Sequence, residues 1–116
     1  MSYARKNLGA FGEDLALEFL LKKRFTLVAR NLRLKQGEID LLMLDNQTLV
    51  IVEVKTKTNE DFGRAEEEVD WHKQKKLRTL ARALTFIYPN QSVRIDVVAI
   101  NGREINHIVN AVGENY

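Results

Sequence analysis

The chain has 116 residues, of which 45% are hydrophobic, and its 18 basic and 16 acidic residues give a formal net charge of +2. This length supports one domain, residues 1–116, with a single core, and the mild charge permits nucleic-acid binding without strongly favouring it. The absence of cysteine excludes disulfides, thiolate nucleophiles and thiolate zinc sites.

The chain also lacks the features of a membrane or secreted protein. No apolar run is long enough to span a bilayer, and the first residues, Met-Ser-Tyr-Ala-Arg-Lys, lack the apolar core of a signal peptide. We therefore expect a cytoplasmic protein that does not enter the membrane.

The first predicted helix runs from about Asn7 to Arg24. Apolar residues recur along one side at helical spacing, and a second side carries two more: Leu8, Phe11, Leu15 and Phe19, then Leu17 and Leu20. Glu13 shares that second side, and a glutamate on a buried side needs a partner or a metal. The alternative is a glutamate in the first turn, favoured by the helix dipole.

A first strand is predicted from Phe25 to Arg33. It is followed by an antiparallel hairpin from Gly37 to Lys55, because two aliphatic stretches flank the polar break Asp45-Asn46-Gln47. Arg30, Arg33 and Lys35 could each contact phosphate, but for each residue taken singly we favour a solvated strand edge.

The register of this hairpin decides which side chains meet. A two-residue turn at Asn46-Gln47 places Asp40 directly across from Glu53. Because side chains alternate along a strand, one predicted face is apolar at one end and charged at the other: Asp40, Leu42, Leu44, Leu49, Ile51, Glu53 and Lys55. The opposite predicted face is apolar throughout: Ile39, Leu41, Met43, Val50, Val52 and Val54. A strand that is apolar on both faces is usually central and covered on both sides.

The charged end of that face suggests a metal site. Two opposed carboxylates repel each other, but a cation between them makes the arrangement favourable. Mg²⁺, or Mn²⁺, takes oxygen ligands, often one or two carboxylates with waters. Asp40 and Glu53 meet that demand, the carbonyl of Val54 could add a third oxygen, and Lys55 could hold or deprotonate an attacking water. The alternative is that Glu53 pairs with Lys55 or another basic neighbour while Asp40 ends a strand in solvent.

The stretch from Lys57 to Glu68 has no apolar periodicity and is predicted to be a loop. Its acids would repel a nucleic-acid backbone, so we expect them to face away from a substrate or to cap the next helix: Glu60, Asp61, Glu66, Glu67 and Glu68.

A second helix is predicted from about Glu67 to Ile87. Its core stripe is Lys73, Leu77, Leu80, Ala81, Leu84 and Ile87, and Pro89 closes it. Trp71, next to His72, could be a stacking platform for a base or an aromatic residue that packs at the helix start.

Two last strands are predicted from Val93 to Ile100 and from Arg103 to Val109. They are joined by Asn101-Gly102, a strong hairpin signal. This turn would place Asp96 opposite His107. The pair could be a metal or acid–base couple, but we expect a buried hydrogen bond that holds the hairpin.

The hairpin motif resembles a known enzyme signature. Asp40 followed by Glu53-Val54-Lys55 resembles the motif of the PD-(D/E)XK nuclease superfamily. The longer pattern, Gly37-Glu38-Ile39-Asp40-Leu41 with Val52-Glu53-Val54-Lys55-Thr56, resembles the YraN-like family of small uncharacterised bacterial proteins, which is similar to archaeal Holliday-junction resolvases. The resemblance covers nearly the whole chain. It implies an α/β fold with a restriction-endonuclease-like α-β-β-β-α-β core, a mixed central sheet and an added C-terminal hairpin strand.

The resemblance also implies an Mg²⁺-dependent endonuclease that hydrolyses phosphodiester bonds in DNA, with branched or damaged DNA as one class of substrate. Asp40 and Glu53 would hold the metal, and Lys55 would orient the water. Glu13, in Gly9-x-x-Gly12-Glu13, would complete the site or bind metal. Lys73, in Lys73-Gln74, would orient the water or bind phosphate; a lysine that snorkels from a helix end is the alternative. Cutting two strands would require a homodimer.

Two other interpretations stay open. One is a non-catalytic nucleic-acid-binding or adaptor module that keeps a nuclease fold. The other is a purely structural partner protein, for which Phe62 or Trp71 would be exposed anchors.

Overall fold

A computed structural model describes residues 2–58 and 63–113 of the chain, with side chains from residue 9 onward. The elements are α1 (Ser2–Lys22), β1 (Thr26–Leu34), β2 (Gly37–Asp45), β3 (Thr48–Lys57), a 3₁₀ helix (Ala65–Glu68), α2 (Trp71–Ile87), β4 (Val93–Asn101) and β5 (Glu104–Ile108). The strands form one sheet in the order β1-β2-β3-β4-β5, in which β3 and β4 are parallel and the other neighbours are antiparallel. The predicted mixed α/β fold, with its added C-terminal strand, is confirmed.

The central strand β3 has a helix on each side. Its face toward α2 belongs to a buried cluster that includes Leu49, Ile51, Leu77, Leu80 and Leu84. Its face toward α1 belongs to a second buried cluster that includes Val50, Val52, Ala16 and Leu20. Apolar residues on both faces of β3 therefore do correspond to two covering layers.

Helix α1 contacts the sheet most closely through Gly12, Ala16 and Leu20, whereas Leu15 and Phe19 of the first predicted side are only partly buried. Ala16 and Leu20 are fully buried, whereas Phe11 is 59% exposed. Gly12 lies so close to β3 that a Cβ atom there would overlap the side chain of Thr56. Gly12, Ala16 and Leu20 are spaced four residues apart and so lie along one side of the helix. This close approach positions Glu13, the next residue, beside the sheet.

Helix α2 buries most of its predicted stripe, namely Leu77, Leu80, Ala81 and Leu84, but Ile87 is exposed. The helix begins at Trp71 rather than near Glu67. None of the helices in the described ranges is long and apolar enough to cross a membrane.

Strand β1 has a register shift between Leu27 and Ala29, and β1 and β2 also reverse faces at a second point, where the two positions lie opposite each other. On β2, Leu41 packs in the cluster toward α1, whereas Ile39 packs in the cluster toward α2. Strict alternation would put both residues on one face, so the prediction that Ile39 shares a face with Leu41 and Met43 is wrong. Asp40 lies at the reversal on β2. Asn31 lies at the corresponding point of β1 with a φ of 53°, a left-handed conformation that asparagine tolerates.

The second hairpin turns one residue later than predicted. Asn101 pairs with Glu104, so the turn residues are Gly102-Arg103, and His107 is not directly opposite Asp96. Gly102 supplies the left-handed φ of 62° that this turn requires.

The connection between β3 and α2 is tied down by acids of the predicted loop. Glu66 accepts hydrogen bonds from the side chains of Asn101 and Asn106 at 2.8 and 3.0 Å. The backbone N–H of Arg64 donates to Glu67 at 2.6 Å, and Glu68 pairs with Lys57 at 3.0 Å. Glu60, Asp61 and Phe62 lie outside the described residues. The described acids of this segment thus have structural partners.

Glu66 is the most strongly perturbed of these acids. Partial burial opposes its ionisation, but hydrogen bonds from Asn101, Asn106 and Arg64 lower the pKa of Glu66 to about 2. The ionised carboxylate fastens the 3₁₀ helix to the β4–β5 hairpin.

Candidate active site

Glu53 is a buried carboxylate at the charged end of the β3 face that packs against α2. The residue is 3% exposed. The Nζ atom of Lys73 lies 3.0 Å from its Oε2 atom, and the Nζ atom of Lys55 lies 3.7 Å from the same oxygen. The alternative to a metal that the sequence allowed, an ion pair of Glu53 with Lys55 or a basic neighbour, is therefore present.

The two lysines do not fully compensate the burial of this carboxylate. Burial raises the pKa of Glu53, the negative charge of Asp40 raises it further, and Lys73 and Lys55 oppose both effects, leaving a pKa of about 7. Perturbed carboxylates of this kind occur preferentially at functional sites, although structural ion pairs also produce them.

Asp40 lies where the pairing of β2 with β3 ends. The last paired residues are Leu41 and Val52, in the register that the Asn46-Gln47 turn predicts. One step further, the backbone N–H of Val54 donates to Oδ2 of Asp40 at 3.0 Å. The Asp40 carboxylate thus accepts the hydrogen bond that a backbone carbonyl of β2 would accept in a regular β2–β3 pairing. Val54 contacts Asp40 through its backbone N–H group.

Glu13 faces Asp40 from α1. Burial and the negative charge of Asp40 raise the pKa of Glu13, whereas hydrogen bonds from Arg30 and Asn31 lower it, with a net rise. Nε of Arg30 lies 3.4 Å from Oε1 of Glu13, and its Nη1 atom lies 2.7 Å from Oδ1 of Asp14. Arg30 therefore links β1 to α1. Because α1 begins at Ser2, Glu13 is not in the first turn, and the helix-dipole alternative is wrong.

The first turn of α2 delivers Lys73 to the site. Asp70 caps the helix by accepting a hydrogen bond from the backbone N–H of Lys73 at 3.0 Å. The side chain of Gln74 donates to the carbonyl of Val69 at 3.1 Å. With this turn fixed, the ammonium group of Lys73 reaches Glu53 rather than snorkelling to solvent.

We call Asp40, Glu53, Lys55 and Lys73, together with Glu13 on the α1 side, the rim site. Within residues 2–58 and 63–113, no three His, Cys, Asp or Glu side chains form a ready metal-binding cluster. Mg²⁺ is nevertheless commonly held by one or two carboxylates and several waters, and this donor set fits that pattern. The two amines would suit the negative charge of a phosphate.

A second buried acid, Asp96 on β4, belongs to a closed network. Arg94 donates to both of its carboxylate oxygens at 2.9 and 3.1 Å, and the backbone N–H of Asn110 donates at 2.9 Å. Nε2 of His107 lies 2.8 Å away, while Nδ1 of the same ring accepts from Lys23 at 3.0 Å. Because an ammonium group can only donate, Nε2 carries the proton and donates it to Asp96.

This hairpin network, Arg94, Asp96, His107 and Asn110, is structural. Burial opposes ionisation of Asp96, but hydrogen bonds from His107, Arg94 and the N–H of Asn110 hold its pKa below the usual range. Both ring nitrogens of His107 are occupied by protein partners. The predicted buried hydrogen bond is confirmed.

The sequence model described as "Uncharacterised protein family UPF0102" matches residues 12–100, a span that contains every residue of the rim site. The chain belongs to the UPF0102 family. The predicted YraN-like membership is thereby confirmed.

Curated UPF0102 proteins match almost the full chain. One from Thermodesulfovibrio yellowstonii is 41% identical over 109 residues, covering 93% of this chain and 97% of that protein. One from Aliivibrio fischeri is 43% identical over 114 residues, covering 91% of each. One from Herminiimonas arsenicoxydans is 42% identical over 110 residues, covering 94% and 89% respectively.

Two residues that position the rim site in this UPF0102 chain were not predicted from the sequence. Asn31 hydrogen-bonds Glu13 and marks the reversal of β1; an asparagine inside an aliphatic strand was its only signal. Thr56 receives Gly12 at close range. Gly12 and Thr56 each belong to one of the family motifs, but nothing in the sequence indicated that they are in contact.

Proposed function

We propose that this UPF0102 protein is a divalent-metal-dependent nuclease that hydrolyses phosphodiester bonds, with DNA, including branched or damaged DNA, as its favoured substrate. The proposal rests mainly on the buried Glu53. The negative charge of Asp40 raises its pKa, and its carboxylate forms ion pairs with Lys55 and Lys73. A cytoplasmic location, and the homodimer that two-strand cleavage would need, belong to the same proposal.

Asp40 and Glu53 would hold Mg²⁺ or Mn²⁺, with the carbonyl of Val54 and the carboxylate of Glu13 as further oxygens. A bound divalent ion would polarise the phosphate and lower the pKa of a bound water. The fit is supported by local charge, because burial and Asp40 raise the pKa of Glu53 to about 7. A cation would relieve that excess of negative charge.

The amines have separate roles in this proposal. Lys55, half-buried on the same strand as Glu53, orients the attacking water and neutralises charge that develops on the phosphate. Lys73 favours the ionised form of Glu53 and binds a phosphate oxygen when the substrate enters. Glu13 acts on the position and charge of Asp40 from the α1 layer.

The test is metal-dependent cleavage by the purified full chain. With Mg²⁺ or Mn²⁺ we expect hydrolysis of at least one of single-stranded, duplex or branched DNA or RNA, and loss of activity in Glu53→Gln and in Lys55→Ala. Glu18→Gln and Lys22→Ala are matched controls, because they make similar changes in an exposed ion pair on α1. Activity that survives Glu53→Gln, or the absence of cleavage in the wild type, contradicts the proposal.

One observation favours a second candidate, a non-catalytic nucleic-acid-binding or adaptor module. The charge of Glu53 is already paired with two lysines, as it would be if no metal were needed. Calorimetric titration of Mn²⁺ into the wild type and Asp40→Asn separates the two candidates. Equal heats favour the module, whereas heat lost in the variant favours the nuclease. Asparagine keeps an oxygen that can accept from the N–H of Val54.

A further inference from the structure

The outer side of α2 carries a stripe of one aromatic and three basic residues. Trp71, Lys75, Arg78 and Arg82 follow i, i+4, i+7, i+11 spacing and therefore lie along one side of the helix. The buried residues Leu77, Leu80, Ala81 and Leu84 lie on the other side. We call the four outer residues the α2 stripe.

The charges of the α2 stripe are not balanced by the protein. Helix α2 has five basic residues and no acidic residue, although the net charge of the chain is only +2. Among the described residues, Lys75, Arg78 and Arg82 form no ion pair, in contrast to Lys73, which is bound to Glu53. A row of free cations on one helix side is complementary to a polyanion.

Trp71 begins the stripe and is not packed into the protein. Its side chain is among the exposed large hydrophobic residues, at 61%, so the predicted alternative of an aromatic that packs at the helix start is wrong. The ring is held from two directions: His72 lies edge-on with ring centroids 5.1 Å apart, and Nζ of Lys75 lies 5.4 Å from the Trp71 centroid. It remains accessible and only two residues from Lys73 of the rim site.

We infer that the α2 stripe binds a single-stranded segment of nucleic acid, with an unpaired base stacked on Trp71 and phosphates on Lys75, Arg78 and Arg82. Aromatic stacking with a cationic track is the general chemistry of single-strand binding. The bases of a perfect duplex are stacked on each other and cannot reach Trp71. The stripe spans about 16 Å at 1.5 Å per residue, which is room for a few nucleotides.

This inference rests on the proposed function for its ligand class and narrows the substrate. A strand bound along α2 would lead from Trp71 to the carboxylates of the rim site. The preferred substrate would then contain an unpaired nucleotide beside the scissile phosphate, as at a branch, a flap or a single-stranded end.

Trp71 is the only tryptophan of the chain, so its fluorescence reports directly on the inference. With the full chain in EDTA, where metal-dependent cleavage is suppressed, a short oligothymidylate should quench the emission of Trp71. The dissociation constant fitted to the quenching should equal the one fitted to the fluorescence anisotropy of the labelled oligonucleotide. A blunt duplex of the same length should quench much less.

Variants separate stacking from charge. Trp71→Ala should weaken oligothymidylate binding about tenfold, whereas Trp71→Phe should largely retain it, because stacking on an aromatic ring provides this affinity. Lys75→Gln and Arg78→Gln should each reduce the slope of log affinity against log salt by about 0.7. Lys22→Gln, an equal charge change on α1, should leave the slope unchanged.

The inference is overturned if the oligonucleotide binds without quenching Trp71, if Trp71→Ala binds as tightly as the wild type, or if nothing binds. These outcomes are distinct from a failure of the proposed function. If the oligonucleotide binds and quenches Trp71 but is not cleaved, the proposed nuclease activity is refuted and the single-strand binding site is supported. If DNA is cleaved but Trp71 is not quenched, the nuclease activity is supported and the single-strand binding site on the α2 stripe is refuted.

Discussion

Two buried acids on neighbouring strands are treated in opposite ways by this fold. Asp96 on β4 receives four hydrogen bonds, and its pKa lies below the usual range, with burial overcome by His107, Arg94 and Asn110. Glu53 on β3 has two lysines near one oxygen, and its pKa is raised to about 7 by burial and Asp40.

The difference between the two acids indicates a structural role for Asp96 and a functional role for Glu53. A buried acid whose oxygens are all satisfied stabilises the arrangement around it. A buried acid that shares its surroundings with a second carboxylate is an energetic cost that the rest of the fold must offset, and such sites are where function is expected. The hairpin network should therefore matter for folding and the rim site for ligands.

The first prediction compares the loss of each buried carboxylate. Asp96→Ala leaves the buried ring of His107 without its acceptor and the half-buried Arg94 with Asp45 as its remaining carboxylate partner. Removing one member of a buried ion pair typically costs about 3–5 kcal/mol. Glu53→Gln removes a carboxylate whose ionisation is opposed by burial and by Asp40. The two lysines that lose their partner are partly exposed to water, so we expect a smaller loss in the free energy of unfolding, about 1 kcal/mol. Urea unfolding of the metal-free proteins measures both, and equal losses in the two variants would refute the comparison.

The second prediction concerns pH. The folded state holds a proton on Glu53 more tightly than the unfolded state does, because the pKa rises from its ordinary value to about 7. Stability of the metal-free protein should therefore fall between about pH 4.5 and pH 7, by up to about 3 kcal/mol, and then level off. Subtracting the profile of Glu53→Gln isolates this decrease. If both proteins show the same profile, the raised pKa is wrong.

The third prediction concerns the close approach of α1 to β3. Gly12→Ala would force a Cβ into Thr56, and overpacking of this kind costs about 1–3 kcal/mol. Gly9→Ala is the matched control, because nothing lies within 4 Å of its Cβ position. That change should be neutral or stabilise the helix by up to about 1 kcal/mol.

A double variant completes this test by thermal or chemical unfolding. Thr56→Ala should recover most of the stability lost in Gly12→Ala, because the overlapping oxygen is removed. If Gly12→Ala is as stable as Gly9→Ala, then α1 does not approach β3 as closely as described, and Glu13 has no fixed place beside Asp40.

The fold and much of the rim site were predictable because they follow from local rules. Alternating aliphatic residues identified β2 and β3, and the Asn46-Gln47 turn fixed their register, so Asp40 and Glu53 could be assigned to one end of the sheet. The core of α2 followed from its helical period. None of these features required knowledge of distant contacts.

The errors arose where tertiary contacts override local signals. The Asn-Gly pair predicted the turn itself, but Asn101 stays in β4 because its side chain accepts from the N–H of Ala65 and donates to Glu66. Large apolar side chains predicted the buried sides of α1 and correctly included Leu20, but Gly12 and Ala16, which lie in line with it against the sheet, had no such signal. The reversal at Asn31 and Asp40 violates the alternation on which strand prediction depends.

That reversal has a consequence for how the two halves of the molecule communicate. The sheet separates the buried cluster packed against α1 from the one packed against α2. The negative charge of Asp40, which lies at the reversal on β2, raises the pKa of Glu13 on the α1 side and that of Glu53 on the α2 side. The charge of this single side chain therefore acts on one carboxylate on each side of the sheet, and replacing Asp40 by asparagine should lower the pKa of both Glu13 and Glu53.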